Sequence, residues 1–244
     1  VGNLPDKPVN VIREDPVNPN LLFVGADFGL YASIDGGKIW TELKEGMPTQ
    51  PIYDLKIHPR EKDLIVATHG RGIFITDISA LQEIGPSVLA SDFHVFQPES
   101  KVKWVVRRPN VSASTNFDGE SEPNGVVISY YQKGAAGDVT VKVMQGTRVV
   151  AETKGPNNPG MNQVLWNMRV TPATVPGVVA PAGGRGGFAG GGGRGGAAAA
   201  SAMPSFGGTL PAEVGTYTVV VTAGGKTFSK TVQIIEDVWF DRMF

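Results

Sequence analysis

A repeat in the first ninety residues most constrains the fold of this 244-residue chain. Segment 15–31 is echoed by segment 58–74, with Pro, Gly and aromatic residues at matching places. Four pairs stand 43 residues apart: Pro16 and Pro59, Val24 and Ala67, Gly29 and Gly72, and Tyr31 and Phe74. Short β-type runs separated by Pro, Gly and Asp at a period in the low forties are typical of β-propeller blades. The repeat therefore predicts two consecutive blades within residues 1–85.

The two units differ in their last strand. The first unit predicts four strands, at 9–13, 22–25, 30–33 and 40–43, and the second predicts three, at 52–57, 64–68 and 73–76. In place of a fourth strand, segment 77–84 has apolar residues at helical spacing. Because many propellers complete the last blade with a strand from the start of the chain, the second unit is predicted to be the closing blade.

Two blades cannot form a ring of four to eight. We therefore expect the remainder of the propeller as a partner, supplied by the same precursor or by another chain. The chain begins with Val1 rather than Met. This start predicts a processed product or a piece of a longer protein.

The turn after the third strand of the first unit carries the pattern Ser-x-Asp-x-Gly-x-x-Trp, at Ser33, Asp35, Gly37 and Trp40. It resembles the Asp-box, also called the BNR repeat, of sialidases, xyloglucanase-type hydrolases and sortilin-type receptors. Its expected chemistry is structural: Asp35 accepts backbone N–H bonds, the glycines permit positive φ, and Trp40 packs beneath the blade. A calcium ligand or a catalytic acid is the alternative role for Asp35.

The loops on the propeller face opposite the Asp-box turn form the candidate ligand site. They carry six residues suited to binding: Asp27, Phe28, Tyr53, Asp54, His69 and Arg71. Arg71 can bind a carboxylate, a sulfate or a sugar hydroxyl, with His69 hydrogen-bonding beside it. In the alternative interpretation, Arg71 pairs with a neighbouring blade and His69 caps a turn.

Catalysis by these loops would need two acids. Asp27 and Asp54 are the only acids expected on this face, and glycoside hydrolysis needs two carboxylates roughly 5 to 9.5 Å apart. Nothing in the sequence brings Asp27 and Asp54 together. No catalytic residue is therefore assigned.

The second half of the chain predicts a β-sandwich. Beyond a connector at 86–123, strands are predicted at 126–132, 139–145, 148–152, 162–168, 215–223 and 227–235. This number of strands, with a Gly224-Gly225 hairpin loop, favours an Ig-like or fibronectin-type sandwich over 124–237. Trp166 is expected to anchor its core rather than to form a sugar platform.

Two segments of this half are set apart by composition. The Gly/Ala-rich stretch 181–204 is predicted to be an inserted, flexible loop. A surface packed against a partner, or a mimic of Arg-Gly-Gly RNA-binding segments, are its alternatives. The aromatic C-terminal stretch 238–244 is predicted to be a strap that covers the sandwich, with a docking segment as the alternative.

A wider resemblance links these parts. Segment 160–169, followed by 215–219, resembles the end of the Ig-like module in flagellar hook-capping and cell-surface sorting proteins. The order of the Asp-box blade, 68–72, 92–96 and 125–131 resembles the C-terminal third of large bacterial sortilin-type propeller proteins, which are often classed as glycosyl hydrolases. The resemblance implies an all-β chain: the last two blades of a β-propeller followed by an Ig-like sandwich. It also implies an extracytoplasmic location, either secreted, periplasmic or at the cell surface.

Composition removes several function classes. The chain has no Cys, which excludes disulfides, thiolate nucleophiles and iron–sulfur clusters, and its three His residues are scattered, so no metal and no cofactor is predicted. Its 22 basic and 23 acidic residues give no electrostatic signal for nucleic-acid binding. No apolar run approaches the length of a membrane span.

Two functions remain. The first is noncatalytic: the segment binds a protein or a polysaccharide or builds a surface assembly, with a homo-oligomer among the expected partners. The alternative is the C-terminal part of a sialidase-like or xyloglucanase-like glycoside hydrolase, whose catalytic acids lie in upstream blades.

Overall fold

The computed structural model of the protein describes residues 2–44, 46–47, 49–104, 124–135, 137–172 and 209–238. Within these ranges the chain is mostly β, in several antiparallel sheets, with two short helices, α1 (Ser79–Gln82) and α2 (Pro86–Ala90). This confirms the coarse prediction of an all-β chain. The predicted insertion 181–204, the later part of the connector, 105–123, and residues 239–244 of the strap lie outside the described residues. None of the described helices is long and apolar enough to cross a membrane.

The first sheet has four antiparallel strands in sequence order, β1 (Val9–Glu14), β2 (Leu22–Ala26), β3 (Gly29–Ser33) and β4 (Thr41–Leu43). The second sheet has three, β5 (Ile52–His58), β6 (Asp63–Thr68) and β7 (Ile73–Asp77). Several of these strands have apolar residues at successive positions. Because successive side chains point to opposite faces, both faces of each sheet carry apolar side chains.

No fourth strand joins the second sheet in the described chain. Helix α1 comes next instead, and the loop between β1 and β2 holds it. The Asn18 amide donates to the carbonyls of Gln82 and Ile84, and the Gln82 amide donates to the Asp15 carboxylate at 2.6 Å. Because Asp15 is almost fully buried, these bonds satisfy polar groups that water cannot reach.

The repeat offset is not uniform, which corrects one expectation. Val24 pairs with Tyr31 in the first sheet, and Val66 pairs with Phe74 in the second. The predicted equivalence of Val24 with Ala67 is therefore wrong, since Val66 holds that register position. The physical reason is a turn between β6 and β7 that is one residue longer than the turn between β2 and β3. β1 and β5, and likewise β3 and β7, keep the 43-residue spacing.

The two sheets pack face to face around one core, which contains Phe23 and Leu30 from the first sheet and Ile52, Leu55 and Val66 from the second. All five side chains are at most 2% exposed. Burying an aliphatic or aromatic side chain of this size contributes about 1.5–3 kcal/mol, so this core is what joins the sheets.

The second half of the chain contains two further sheets that enclose another core. One has the order β13-β10-β8, and the other has the order β12-β11-β16-β17-β9. Their strands are β8 (Phe93–Val95), β9 (Lys101–Lys103), β10 (Val126–Gln132), β11 (Val139–Gln145), β12 (Arg148–Gly155), β13 (Gly160–Trp166), β16 (Gly215–Ala223) and β17 (Lys226–Glu236). A separate pair, β14 (Arg169–Val170) and β15 (Leu210–Pro211), lies on either side of segment 173–208 in the sequence.

The described part of the expected connector, residues 86–104, contains two short strands that belong to the sheets of the second half. β8 pairs with β10, and β9 pairs in parallel with β17, so this segment supplies an edge strand to each of the two sheets. Phe93 and Val95 are buried in the core because they alternate with the half-exposed His94. Three-residue strands give too short an alternation to be recognised in the sequence.

Candidate functional site

The loops proposed to bind a ligand lie at one end of the first two sheets. A Cβ atom placed on Gly25, near the end of β2, would lie 2.6 Å from Cγ2 of Ile52, and Ile52 pairs with Thr68 at the end of β6. The turn after β2 and the turn after β6 are therefore neighbours. The 33–40 turn comes after β3, which runs in the opposite direction, so it lies at the other end.

Tyr53 and His69 are in contact within this group of loops. Their ring centres are 5.1 Å apart in an edge-on arrangement, and both side chains are exposed. The His69 backbone N–H donates to the Pro51 carbonyl at 2.9 Å, and the Thr68 hydroxyl donates to the Gly72 carbonyl at 2.6 Å. These bonds fix the turn before any ligand arrives.

Arg71 lies in the same turn, between two glycines that both have positive φ, 79° for Gly70 and 92° for Gly72. Its side chain is exposed and makes no hydrogen bond or ion pair with any other described residue. A guanidinium in this position is available to an anionic group on a ligand.

Asp27 and Phe28 lie on the neighbouring turn and have local partners. The Asn10 amide donates to the Asp27 carboxylate at 2.9 Å. The Lys7 ammonium lies 4.9 Å from the centre of the Phe28 ring, within the range of a cation–π contact. Phe28 is 51% exposed, so its ring is a second aromatic surface at this end.

Asp54 joins the two sheets. The Arg13 guanidinium donates to the Asp54 carboxylate at 2.9 Å and to the Leu55 carbonyl at 2.7 Å. Since both charged side chains are partly exposed, the ion pair contributes only about 0–1 kcal/mol. Asp27 and Asp54 thus bond to different partners, and no hydrogen bond between described residues links them. The sequence interpretation missed Arg13, although a basic residue recurs 43 positions later at Lys56.

The 33–40 turn is organised by the Asp35 carboxylate. Its Oδ1 accepts the Ser33 hydroxyl at 2.8 Å and the backbone N–H groups of Lys38 and Ile39 at 3.0 and 2.9 Å. Gly36 and Gly37 have φ values of 73° and 87°. The bonds from Ile39 and then Ser33 lower the pKa of Asp35. The carboxylate therefore serves the turn itself.

Trp40 closes this turn from below. It is 7% exposed, and its indole N–H donates to the Gly37 carbonyl at 3.1 Å. The Asn3 side-chain amide bonds both the N–H and the carbonyl of Trp40, at 2.6 and 2.8 Å, which imitates a strand partner. Asn3 was not anticipated, because a lone Asn near a chain start carries no sequence signal.

A groove of about 300 Å³ lies in the second half, beside β12 and β13. Trp166 lines it but is only 5% exposed. Its indole N–H donates to the Arg169 carbonyl at 3.0 Å, and its ring lies 5.1 Å from that of Tyr217. Trp166 thus lies mainly in the core. Among the described residues, no three His, Asp or Glu side chains gather as a metal ion would need.

The chain matches no protein-family model, and a search of curated proteins finds no match.

Proposed function

We propose that this chain is the closing segment of a secreted or cell-surface Asp-box propeller protein, and that it binds a polysaccharide or a protein, or builds a surface assembly, without catalysing a reaction. One observation carries the proposal. Two sheets of one repeat pack face to face, with their ligand-type turns together at one end and the Ser33–Asp35 hydrogen bonds at the other. This is the relation that neighbouring blades of a ring have.

The strand order of the second half supports an Ig-like module. If β8, β10 and β13 are strands A, B and E, then β11, β12, β16 and β17 take the places of C, C′, F and G in immunoglobulin-like sandwiches. Tyr217, near the start of β16, donates its hydroxyl to the Glu213 carbonyl at 2.9 Å. Such a bond to the backbone a few residues upstream is the tyrosine corner of these domains.

The ligand is proposed to be an acidic polysaccharide. Tyr53 offers an exposed ring to a sugar face, His69 offers ring nitrogens to hydroxyl groups, and Arg71 offers a guanidinium to carboxylate or sulfate groups. Asp54 is bonded to Arg13 and Asp27 to Asn10, so these two acids are not proposed as a catalytic pair, and the hydrolase alternative would place its acids in upstream blades.

The test is a binding titration of the full chain with polygalacturonate, with heparin and with neutral dextran. We expect binding to at least one acidic polymer and weakening by about tenfold or more in Arg71→Ala and Tyr53→Ala. Arg60→Ala is the matched control, since Arg60 is an exposed arginine in the turn between β5 and β6, at the other end. Equal loss in Arg60→Ala, or no binding to either acidic polymer, would reject an acidic polysaccharide as the ligand.

A further inference from the structure

The buried interface between the first and second sheets can be compared, residue by residue, with the outer faces of the same two sheets. Leu30 and Ala32 of β3 are 2% and 6% exposed, and Ile52 and Leu55 of β5 are both 0% exposed. All four belong to the same core between the sheets. The first sheet thus contributes one half of this interface and the second sheet contributes the other.

The residues that the first sheet contributes to this interface have counterparts on the outer face of the second sheet, and these counterparts are exposed. Ile73 and Ile75 stand 43 residues after Leu30 and Ala32, and they are 67% and 64% exposed. Ala67 and Ile65 are their cross-strand partners, so the four side chains share one face. We call these four residues the back face. No described strand pairs with the outer edge of β7, and an aliphatic patch beside such an edge is typical of an interaction surface.

The other half recurs on the first sheet, where it is exposed only in part: Val24, the counterpart of Val66, is 1% exposed and packs with Leu4 and Trp40. Val9 and Ile12 stand 43 residues before Ile52 and Leu55, and they are 51% and 54% exposed. We call these two residues the front face. Each half of the buried interface is therefore present once more in the same molecule, on the opposite side, and the residues exposed there are Val9 and Ile12 on the first sheet and Ile73 and Ile75 on the second.

The sizes of the exposed side chains match those of the buried ones. The cross-strand pair Phe23 and Ala32 has the same number of side-chain carbons as its counterpart on the back face, Ile65 and Ile75. Volume-conserving exchanges of this kind are the ones that packed interfaces tolerate best.

A second pair of side-chain size changes also cancels, and it involves both faces. Gly25 lies against Ile52 in the buried interface, and their counterparts are Ala67 on the back face and Val9 on the front face. The methyl group that Ala67 adds is balanced by the carbon that Val9 lacks. The two faces are thus matched in volume as well as in apolar character.

From this complementarity we infer that a second copy of the chain binds head to tail, with its front face on the back face of the first copy. The inference rests on the proposed function, because both treat the first two sheets as part of an incomplete ring. Such a contact is heterologous, so each copy keeps one face free, and association continues until a ring closes or, if the rotation does not close, as an open filament. Lys56, 43 residues after Arg13, takes the place of Arg13 beside the incoming strand β1, but Val11 stands at the position of Asp54, so the ion pair of the buried interface is not repeated.

The test is sedimentation velocity of the full chain over a range of protein concentrations. We expect the average mass to rise with concentration. Ile75→Lys and Ile12→Lys each place a charge in the contact and weaken association by about tenfold or more. Val17→Lys is the matched control, because Val17 is 66% exposed and lies in neither face. It associates like the unmodified chain.

A mixture of the two interface variants tests the head-to-tail geometry. Ile75→Lys retains its front face and Ile12→Lys retains its back face, so an equimolar mixture forms dimers, but nothing larger, although each variant alone is monomeric. A monomer at every concentration, no recovery in the mixture, or equal loss in Val17→Lys would overturn the inference.

The polysaccharide titration separates this result from the proposed function. Ile75→Lys leaves the Tyr53, His69 and Arg71 side chains unchanged and is expected to bind the acidic polymer as the unmodified chain does. An unmodified chain that binds the polymer but stays monomeric overturns the head-to-tail contact alone. Absence of polymer binding with retained association overturns the ligand proposal alone.

Discussion

The first and second sheets share three strands, and they differ in the element that comes after the third strand. After β3, Ser33 and Asp35 bind the turn and the chain returns as β4. After β7, Thr76 and Ile78 stand at the equivalent positions, while Asp77 accepts the Ser79 backbone N–H at 2.7 Å, just before α1. The carboxylate that bonds the turn thus stands two residues after Ser33 before a returning strand, and one residue after Thr76 before a departing helix.

A second difference concerns burial. Equivalent positions of the two sheets have similar apolar residues, yet at several of them one member of the pair is buried and the other is exposed, although Val24 and Val66 are both buried. Leu55 and Ile12 are such a pair, at 0% and 54% exposure. Apolar character therefore comes from the repeat, whereas burial depends on which sheet has a neighbour on that side.

The largest expected effect tests this difference in burial. Leu55→Ala leaves a cavity between the sheets and lowers the free energy of unfolding by about 2–5 kcal/mol, while Ile12→Ala lowers it by about 0.5–1 kcal/mol. Urea denaturation at low protein concentration measures both. Equal losses would show that the front face of β1 is already covered in the monomer.

Gly25 gives the next largest effect. In Gly25→Ala the new Cβ would meet Ile52 Cγ2 at 2.6 Å and Val11 Cγ1 at 2.7 Å, so we expect a loss of about 1–3 kcal/mol from overpacking. Ala67→Gly is the matched change in the second sheet, and it loses about 0.5–1 kcal/mol through backbone entropy. Adding Ile52→Val to Gly25→Ala is expected to restore part of the stability. A neutral Gly25→Ala would mean that the sheets can separate without cost.

Much of this architecture was predictable from local patterns. The bounds of β10, β11 and β16 are the predicted ones, because alternating apolar residues and Gly turns mark both ends of each strand. A constant 43-residue spacing does not predict which residues of β6 pair with β7. The turn between β6 and β7 has one extra residue, so Val66, and not Ala67, pairs with Phe74. β8 and β9 were missed because a three-residue strand has no periodicity.

The candidate site was predictable only in part. Aromatic and charged residues in turns marked Tyr53, His69 and Arg71 as a group, and the edge-on contact of Tyr53 with His69 brings two of them together. The sequence contained no sign that Asp54 bonds to Arg13, because their 41-residue separation is bridged only when the sheets pack.

A smaller effect is expected from the turn that distinguishes the sheets. Ser33 is 1% exposed, and its hydroxyl accepts the Gly37 N–H at 2.9 Å while donating to Asp35. Ser33→Ala removes both bonds and lowers the free energy of unfolding by about 1–1.5 kcal/mol. Thr76→Ala, at the exposed equivalent position, changes it by less than about 0.5 kcal/mol. Similar losses in the two variants would contradict the assigned role of Ser33.

The smallest expected effect is the pH dependence of the same turn. Hydrogen bonds from Ile39 and Ser33 hold the pKa of Asp35 below its ordinary value of 3.8. The folded state therefore favours the ionised carboxylate. The resulting stabilisation is fully present above that ordinary value and is lost as the pH falls through the lowered folded pKa.

An NMR titration of the Asp35 carboxyl carbon measures this pKa directly. In Ser33→Ala it should move up towards the ordinary value, because one of the two main hydrogen bonds that favour the charge is gone. In Asp35→Asn the acid-dependent part of the stability contributed by this turn should vanish, since the amide oxygen still accepts N–H bonds but carries no charge. Thr76→Ala should leave the titration unchanged. If the pKa of Asp35 in the folded protein equals its ordinary value, the hydrogen bonds to this carboxylate do not explain the difference between the first sheet and the second.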